Sequence, residues 1–538
     1  MRSILKFSLG IVSLFFVACG GNNNDIAEEE QNTTKILETN IDLTQDLADT
    51  QVATSISKTK MQGITPYTTR SIWGSSTVSH FTMNTKHFYV APLCEGTETE
   101  DTICGKTSNN GTKDSPWDFY SVCKAEHNII PDSVVWMLNG DYSNPENTPD
   151  KIIPFNISIS GDTNKPIHFR PENGALNGVK INAGITVSGS WVWLWEMEMT
   201  FIRQTGEPDR FDETTGLLVE DWRPHTIDPV YYFPTSGYTA LSDISTGRIE
   251  INFPYLVDNN KVINTRAHKL SEGLSVWSQA SNFEGYGNIL YDNGWTDMDR
   301  GHGHALYQQN GTTMRILSDN IIAGHMGHGM QIYSSVVEKT NNFSIIGNIF
   351  FAAREVNGGN GILIGSVDSK NVKFNENFIS SYALKYPYLI FEDDLYLNGS
   401  KYDENGDKVY QTPLDRECSN NLYYSDYNYY NGQFPLNEIK SYIRPNKYDG
   451  RRANLVVLNP NKENVVTIDL GTFARKGDRV MIFNSLDMST PIEYGTYNGT
   501  YTNIHWPNTS WSLVRYVNTP DLDIKKEFWA FVVINLGP

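Results

Sequence analysis

The sequence predicts an all-β protein: a right-handed parallel β-helix followed by a C-terminal antiparallel β-sandwich. Three observations carry this. Short Val/Ile/Tyr/Phe-rich runs recur through the middle of the chain at steps of roughly 25 to 32 residues, the length of one solenoid coil. An asparagine returns once in each step, as a stacked turn residue would. From about Leu436 the repeat gives way to apolar–polar alternation broken by turn residues, the pattern of antiparallel strands.

The elements follow in order. At the N-terminus, Arg2 and Lys6 open an apolar run that ends in VACGG, too short and too one-sided for a spanning helix. Residues 1–19 resemble a bacterial lipoprotein signal, in which Cys19 becomes the lipidated first residue. An ordinary cleaved signal is the alternative, and Phe16 stands where such signals usually have leucine. Residues 20–75 are polar, acidic and almost free of aromatics, so they bury too little apolar surface to fold and read as a disordered tether. The β-helix occupies 76–435 and the sandwich 436–538.

Within the helix, the runs GLSVWS (from Gly273), HALYQQ (His304), GMQIYS (Gly329), GILIGS (Gly361) and YLIFED (Tyr388) form one series. VINTR, YGNILY, SDNIIA, IGNIFF and NENFIS form a second, with Asn264, Asn288, Asn320, Asn348 and Asn377 in equivalent places. Between Thr200 and about Gly247 a polar, aromatic segment interrupts the repeat and reads as an excursion between coils that walls one side of a groove. The C-terminal sandwich either caps the open end of the helix or binds carbohydrate, with capping preferred.

A net charge of -19 argues against nucleic acid as a partner. Of the cysteines beyond Cys19, the spacing favours a disulfide between Cys94 and Cys104 over one between Cys94 and Cys123, and no CxxC pair supports zinc.

The run from Pro131 to Tyr142, IIPDSVVWMLNGDY in context, followed by GDTNKPIHFR from Gly161 to Arg170, resembles the first coils of pectate-lyase-like β-helices. It is most similar to the chondroitinase B and alginate lyase family, and the resemblance spans 86–435 at the level of fold. It implies a polysaccharide lyase. That family keeps a lysine and an arginine in SKS…RHG, where this chain has WSQASN (Trp277 to Asn282) and RGHG (Arg300 to Gly303). Gln279 replaces the lysine, so a base role has to move, and His304 is the candidate.

The chemistry concentrates in DMDRGHGHALYQQN, Asp297 to Asn310. Strand side chains alternate between faces. With Leu274, Ala305, Met330 and Ile362 inward, His302, His304 and Gln308 project outward beside Trp277, Gln279, Gln331 and Tyr333. Aromatics beside amides form a sugar-binding surface. In this register Tyr307 points inward, while His325 and His328 are turn residues.

Three chemistries fit. In β-elimination His304 is the base, Tyr307 or His302 the proton donor, and Arg300 or Arg266 neutralises the uronate carboxylate, with Lys269 nearby. In hydrolysis two carboxyl groups act, drawn from Asp297, Asp299, Glu272, Glu355, Glu392, Asp393 and Asp394. In the third, Asp299, His302 and His304 hold a metal. No cofactor is fixed by these residues; Ca2+ enters because related lyases use it. The expectation is an exported, monomeric lipoprotein at the outer membrane or cell surface (the periplasmic face as alternative), touching the membrane only through its lipid. It cleaves an acidic uronic or sulfated polysaccharide by elimination. The alternatives are an endo-acting hydrolase on a fucan or carrageenan-type glycan, and a non-catalytic glycan-binding protein.

Overall fold

The computed structural model describes most of residues 85–200, 248–351 and 438–507, the strand segments 362–366, 371–380, 389–392 and 416–424, and residues 527–538. The signal, Cys19 and the acidic tether lie outside these residues. The described chain winds as a parallel β-helix with three faces. Among the described residues, the first face has 11 strands, the second 9 and the third 8. One coil runs Lys261–Ile263 on the first face, Arg266–His268 on the second and Leu274–Val276 on the third. Every inter-coil pairing is parallel and in register, as in Leu274↔Leu306 and Leu306↔Met330. One continuous core fills the interior, including Leu194, Val262, Leu274, Leu306, Leu317 and Ile345.

The corner from the first to the second face is the tightest in each coil, and its chemistry repeats. A residue in the left-handed region makes the bend: Gly287 (φ 66), Asp319 (φ 53), Gly347 (φ 72), Glu376 (φ 56) and Asn420 (φ 55) in successive coils. The asparagine after it points into the corner. Asn288, Asn320, Asn348, Asn377 and Asn421 form a buried ladder; each of the first four amides donates to the next coil's Oδ1 at 2.9–3.1 Å, and all five donate to a backbone carbonyl. Asn264, expected in this ladder, is displaced by one residue. It occupies the left-handed position (φ 54), and Thr265 takes the ladder site by donating its N–H to Asn288 Oδ1 (3.0 Å).

At the N-terminal mouth the short helix Phe119–Cys123, N-capped by Asp118, covers the first coil. Phe119 packs there against Tyr142, Phe155 and Phe169. Cys104 is disulfide-bonded and Cys123 is a buried free thiol, which removes the Cys94–Cys123 alternative. The expected partner Cys94 lies outside the described residues.

The C-terminal part is antiparallel. A five-stranded sheet runs in the order Lys440–Pro445, Arg452–Leu458, Phe528–Asn535, Arg479–Asn484 and Glu493–Thr496. A two-stranded ribbon, Val465–Ile468 with Thr502–His505, joins it in one core. Among the described residues this unit is not seated over the end of the helix as a cap. It lies along the flank, on the outer side of the second face, where Ile289, Ile321, Ile349, Tyr291 and Phe351 share its core. Phe351 meets Trp529 edge-on at 5.2 Å. Polar groups fix the seat: Tyr448 and Lys447 both donate to Glu284 (2.6 and 2.8 Å), Arg444 pairs with Asp319, and Asn446 donates to Asn264 (2.8 Å). That last bond occupies the side chain that the ladder lacks.

Candidate active site

The second and third faces are joined by the longest excursions. The segment after Glu198–Thr200 leaves the second face and returns as Arg248–Ile251 on the third, directly beneath Leu274–Val276. The next coils leave the same corner after Ile289–Tyr291 and Ile321–Ala323. The described candidate residues gather along this edge of the third face.

The register of the coil carrying His304 differs from expectation by one residue. Ser275 pairs with Tyr307 and Tyr307 with Gln331, while Val276 pairs with Gln308 and Gln308 with Ile332. Leu306 and Gln308 thus face the core and Tyr307 faces out. HALYQQ allows two phases, Ala305/Tyr307 inward or Leu306/Gln308 inward, and a one-residue slip exchanges every side chain. The fold keeps Leu306 inside. Gln308 is fully buried, and its amide N–H donates to Leu274 O (3.1 Å), while its Oε1 has no hydrogen-bond partner among the described residues. It is a core residue with no path to substrate.

Outward on the third face, the column Ser275–Tyr307–Gln331 stands beside a second column at the corner, Glu272–His304–His328. Backbone bonds hold the second in step: Gly273 N–H donates to His304 O (2.8 Å) and Ala305 N–H to His328 O (3.2 Å). His304 therefore lies level with His328, not His328 with Gly303. The two rings stack at 5.2 Å, and the His328 backbone N–H donates to His304 Nδ1 (2.9 Å). That bond places the proton of a neutral His304 on Nε2, making the ring a hydrogen-bond donor. The His304 ring lies 5.8 Å from the Tyr307 ring, and Trp277 lies 5.4 Å from Tyr307 on the other side. Gln309 donates to the Tyr307 hydroxyl (3.1 Å). Ser275 donates to the buried Glu272 carboxylate. Burial raises the Tyr307 pKa, and the nearby Glu272 charge adds to this against the Gln309 bond, so the phenol keeps its proton across the neutral range.

Other expected residues are placed as follows. His302 belongs to the two-residue strand Gly301–His302, paired antiparallel with Trp295–Thr296, so it is not on the strand of Tyr307 and does not share that strand's alternation. Arg266 is on the second face, buried, 3.5 Å from Glu198 and donating to the Tyr291 hydroxyl (3.2 Å), away from this edge. Lys269 is exposed at the corner of the preceding coil, and Gln279 sits half-buried in the turn after Leu274–Val276. Tyr333 pairs with Gly365 further along the third face, and Glu392 continues that ladder. Asp297, Asp299, Arg300, Glu355, Asp393 and Asp394 lie outside the described residues. Among the described residues, no three His, Cys, Asp or Glu side chains are grouped to hold a metal.

The residues sequence reasoning passed over are His328, Gln309 and Arg315. For His328 the signal was present, since GHMGHG places a histidine before each strand start, but the slipped register aligned it with a glycine.

No protein-family model matches the chain, and no curated protein matches it. Solved structures similar to it include the pectate lyase Pel9A, with 12% identity over 66% of this chain and 79% of that one, at a TM-score of 0.36. The GH136 lacto-N-biosidase from Eubacterium ramulus matches at 10% identity over 63% and 55%, TM-score 0.35. The PL6 family alginate lyase AlyGC matches at 12% over 56% and 45%, TM-score 0.30. This chain thus spans about half the length of the latter two. At these identities the likeness concerns the chain path and says nothing of the site.

Proposed function

We propose that the protein cleaves an acidic polysaccharide by β-elimination on the outer side of the third face. The observation that carries this is Tyr307: an outward, protonated phenol between the His304 and Trp277 rings, with Gln331 beside it. Elimination needs a base for the proton next to the uronate carboxyl, donors to the carboxyl, and an acid for the departing glycosidic oxygen. Tyr307 serves as the acid. Gln331 binds the carboxyl, and the buried His304 ring, whose Nδ1 accepts from the His328 N–H, backs Tyr307 and His328. The base role expected of His304 passes to His328, whose imidazole is partly exposed on the same column. As the proton moves to His328, the C–O bond breaks, the ring gains a double bond and Tyr307 protonates the leaving oxygen. Trp277 offers its plane to a neighbouring sugar ring. Anchored through Cys19, a monomer of this kind works on polysaccharide outside the cytoplasm.

Hydrolysis is the second reading, favoured by Glu272, a buried carboxyl next to Tyr307. The test is incubation of the full chain with uronic and sulfated polysaccharides, with calcium and with a chelator. Growth of the ultraviolet absorbance of an unsaturated uronate supports elimination. New reducing ends without it overturn elimination for hydrolysis, and retention without cleavage marks a binding protein.

A further inference from the structure

Arg315 occupies an inward position that the coils on either side fill with Phe283 and Phe343. It is the inward residue of Arg315–Ser318 on the first face, in register with Phe343 and, a coil further, Val372. It is 1% exposed. Its guanidinium lies between the rings of Phe283 and Phe343, at 5.8 and 5.9 Å from their centroids. No carboxylate is bonded to it among the described residues. Its partners are four backbone carbonyls: Val276 (2.8 Å), Trp277 (3.0 Å), Ala280 (2.7 Å) and Gln309. A buried cation of this kind is costly, and an apolar residue would fill the stack at less cost. What Arg315 does that no apolar residue can is gather carbonyls that diverge from one another.

Those carbonyls belong to the turn that leaves the third face at Trp277 and to the residue that bonds the Tyr307 hydroxyl. The Trp277 carbonyl also accepts the Ala280 N–H (3.1 Å), which closes the turn. We infer that Arg315 is a positioning residue: its guanidinium fixes the Val276–Ala280 turn and thereby holds the Trp277 ring against Tyr307. This rests on the reading of the third face as the working surface. A planar fork reaching four acceptors suits the task, whereas lysine, with one ammonium, cannot span them. Burial alone pushes Arg315 down to about 9, so it remains charged at neutral pH.

The test uses the full chain as wild type, Arg315→Lys, Trp277→Ala and the double variant. Hydrogen exchange of the peptide covering Trp277 to Asn282 reads the turn without reference to activity. Arg315→Lys speeds exchange there while the C-terminal sheet keeps its protection; equal exchange in both proteins overturns the inference. General loss of protection would make Arg315 a fold residue only and also overturns it. The second readout is kcat/KM, which falls roughly ten- to a hundredfold in Arg315→Lys, the scale of a misplaced binding group. If Arg315 acts through Trp277, the double variant falls no further than Trp277→Ala alone. Multiplied losses overturn the inference. If the wild type cleaves nothing, elimination and hydrolysis both fail, and the same cycle is read on retention by immobilised polysaccharide, so the two claims fail separately.

Discussion

Replacing Tyr307 by phenylalanine separates chemistry from packing. The ring keeps its place 5.8 Å from His304 and 5.4 Å from Trp277, and only the hydroxyl, with its 3.1 Å bond from Gln309, is removed. Loss of one partly exposed hydrogen bond costs about 1 kcal/mol. In a chain of this size that lowers Tm by about 2 °C or so. Loss of a general acid lowers turnover by roughly a hundred- to ten-thousandfold, about 3 to 5 kcal/mol of transition-state stabilisation. The assay is initial-rate absorbance of the unsaturated product beside thermal unfolding of the same preparation. Wild-type kcat in Tyr307→Phe would refute the assignment. A large fall in Tm would show that the hydroxyl serves the fold.

Glu272→Gln should leave eliminative turnover within about tenfold of wild type, since the carboxylate only neighbours the acid; complete loss, measured by reducing ends, would move the reaction to hydrolysis. Asn348→Ala removes the amide that donates to Leu317 O (2.8 Å) and Asn377 Oδ1 (3.1 Å) and the carbonyl that accepts from Asn320. With buried partners left unpaired, denaturant unfolding should show a loss of about 3 kcal/mol or more. A chain ending at Pro435 would expose Ile289, Ile321, Ile349 and Phe351 together and should aggregate, as light scattering would report; a soluble, folded product would show that the C-terminal unit is dispensable. Acid should destabilise the protein from the mildly acidic range. Burial lowers His268 from 6.5 to about 4, so as pH falls the unfolded chain takes up that proton first and stability declines across this interval. Burial raises Glu198, but the His268 bond and the Arg266 charge outweigh it and hold it at about 2 against an ordinary 4.5, which extends the decline. The His268 part is at most about 3 kcal/mol; His268→Gln should flatten the Tm profile between these two His268 values, and an unchanged profile would refute the assignment.

The solenoid was legible because its two signals, period and turn asparagine, are local and repeat. The asparagine ladder was readable for Asn288 through Asn377, since each follows a residue able to adopt a positive φ. Asn264 broke the pattern through Asn446, which is remote in sequence. The site was legible as a region but not in phase. HALYQQ fits a strand in either register, and only the coils on both sides, through Leu274 and Met330, decide that Leu306 goes in. Gln308 and Tyr307 exchanged faces as a result. The seat of the C-terminal unit was hidden for another reason. Ile289, Ile321 and Ile349 carry the same composition whether they face the core or a neighbouring sheet. Arg315 was in phase with core residues, but a lone arginine in an apolar stretch does not disclose which carbonyls it will meet.

The central claim is that sugar lies along the third face with Tyr307 at the point of cleavage. The direct measurement is a crystal structure of Tyr307→Phe bound to an oligosaccharide of the polysaccharide that the wild type cleaves. A sugar ring on Trp277 and a carboxyl within hydrogen-bond distance of Gln331, next to Tyr307 and His328, are the predicted result. Sugar bound on the C-terminal sheet, or away from the His304–His328 column, would contradict it.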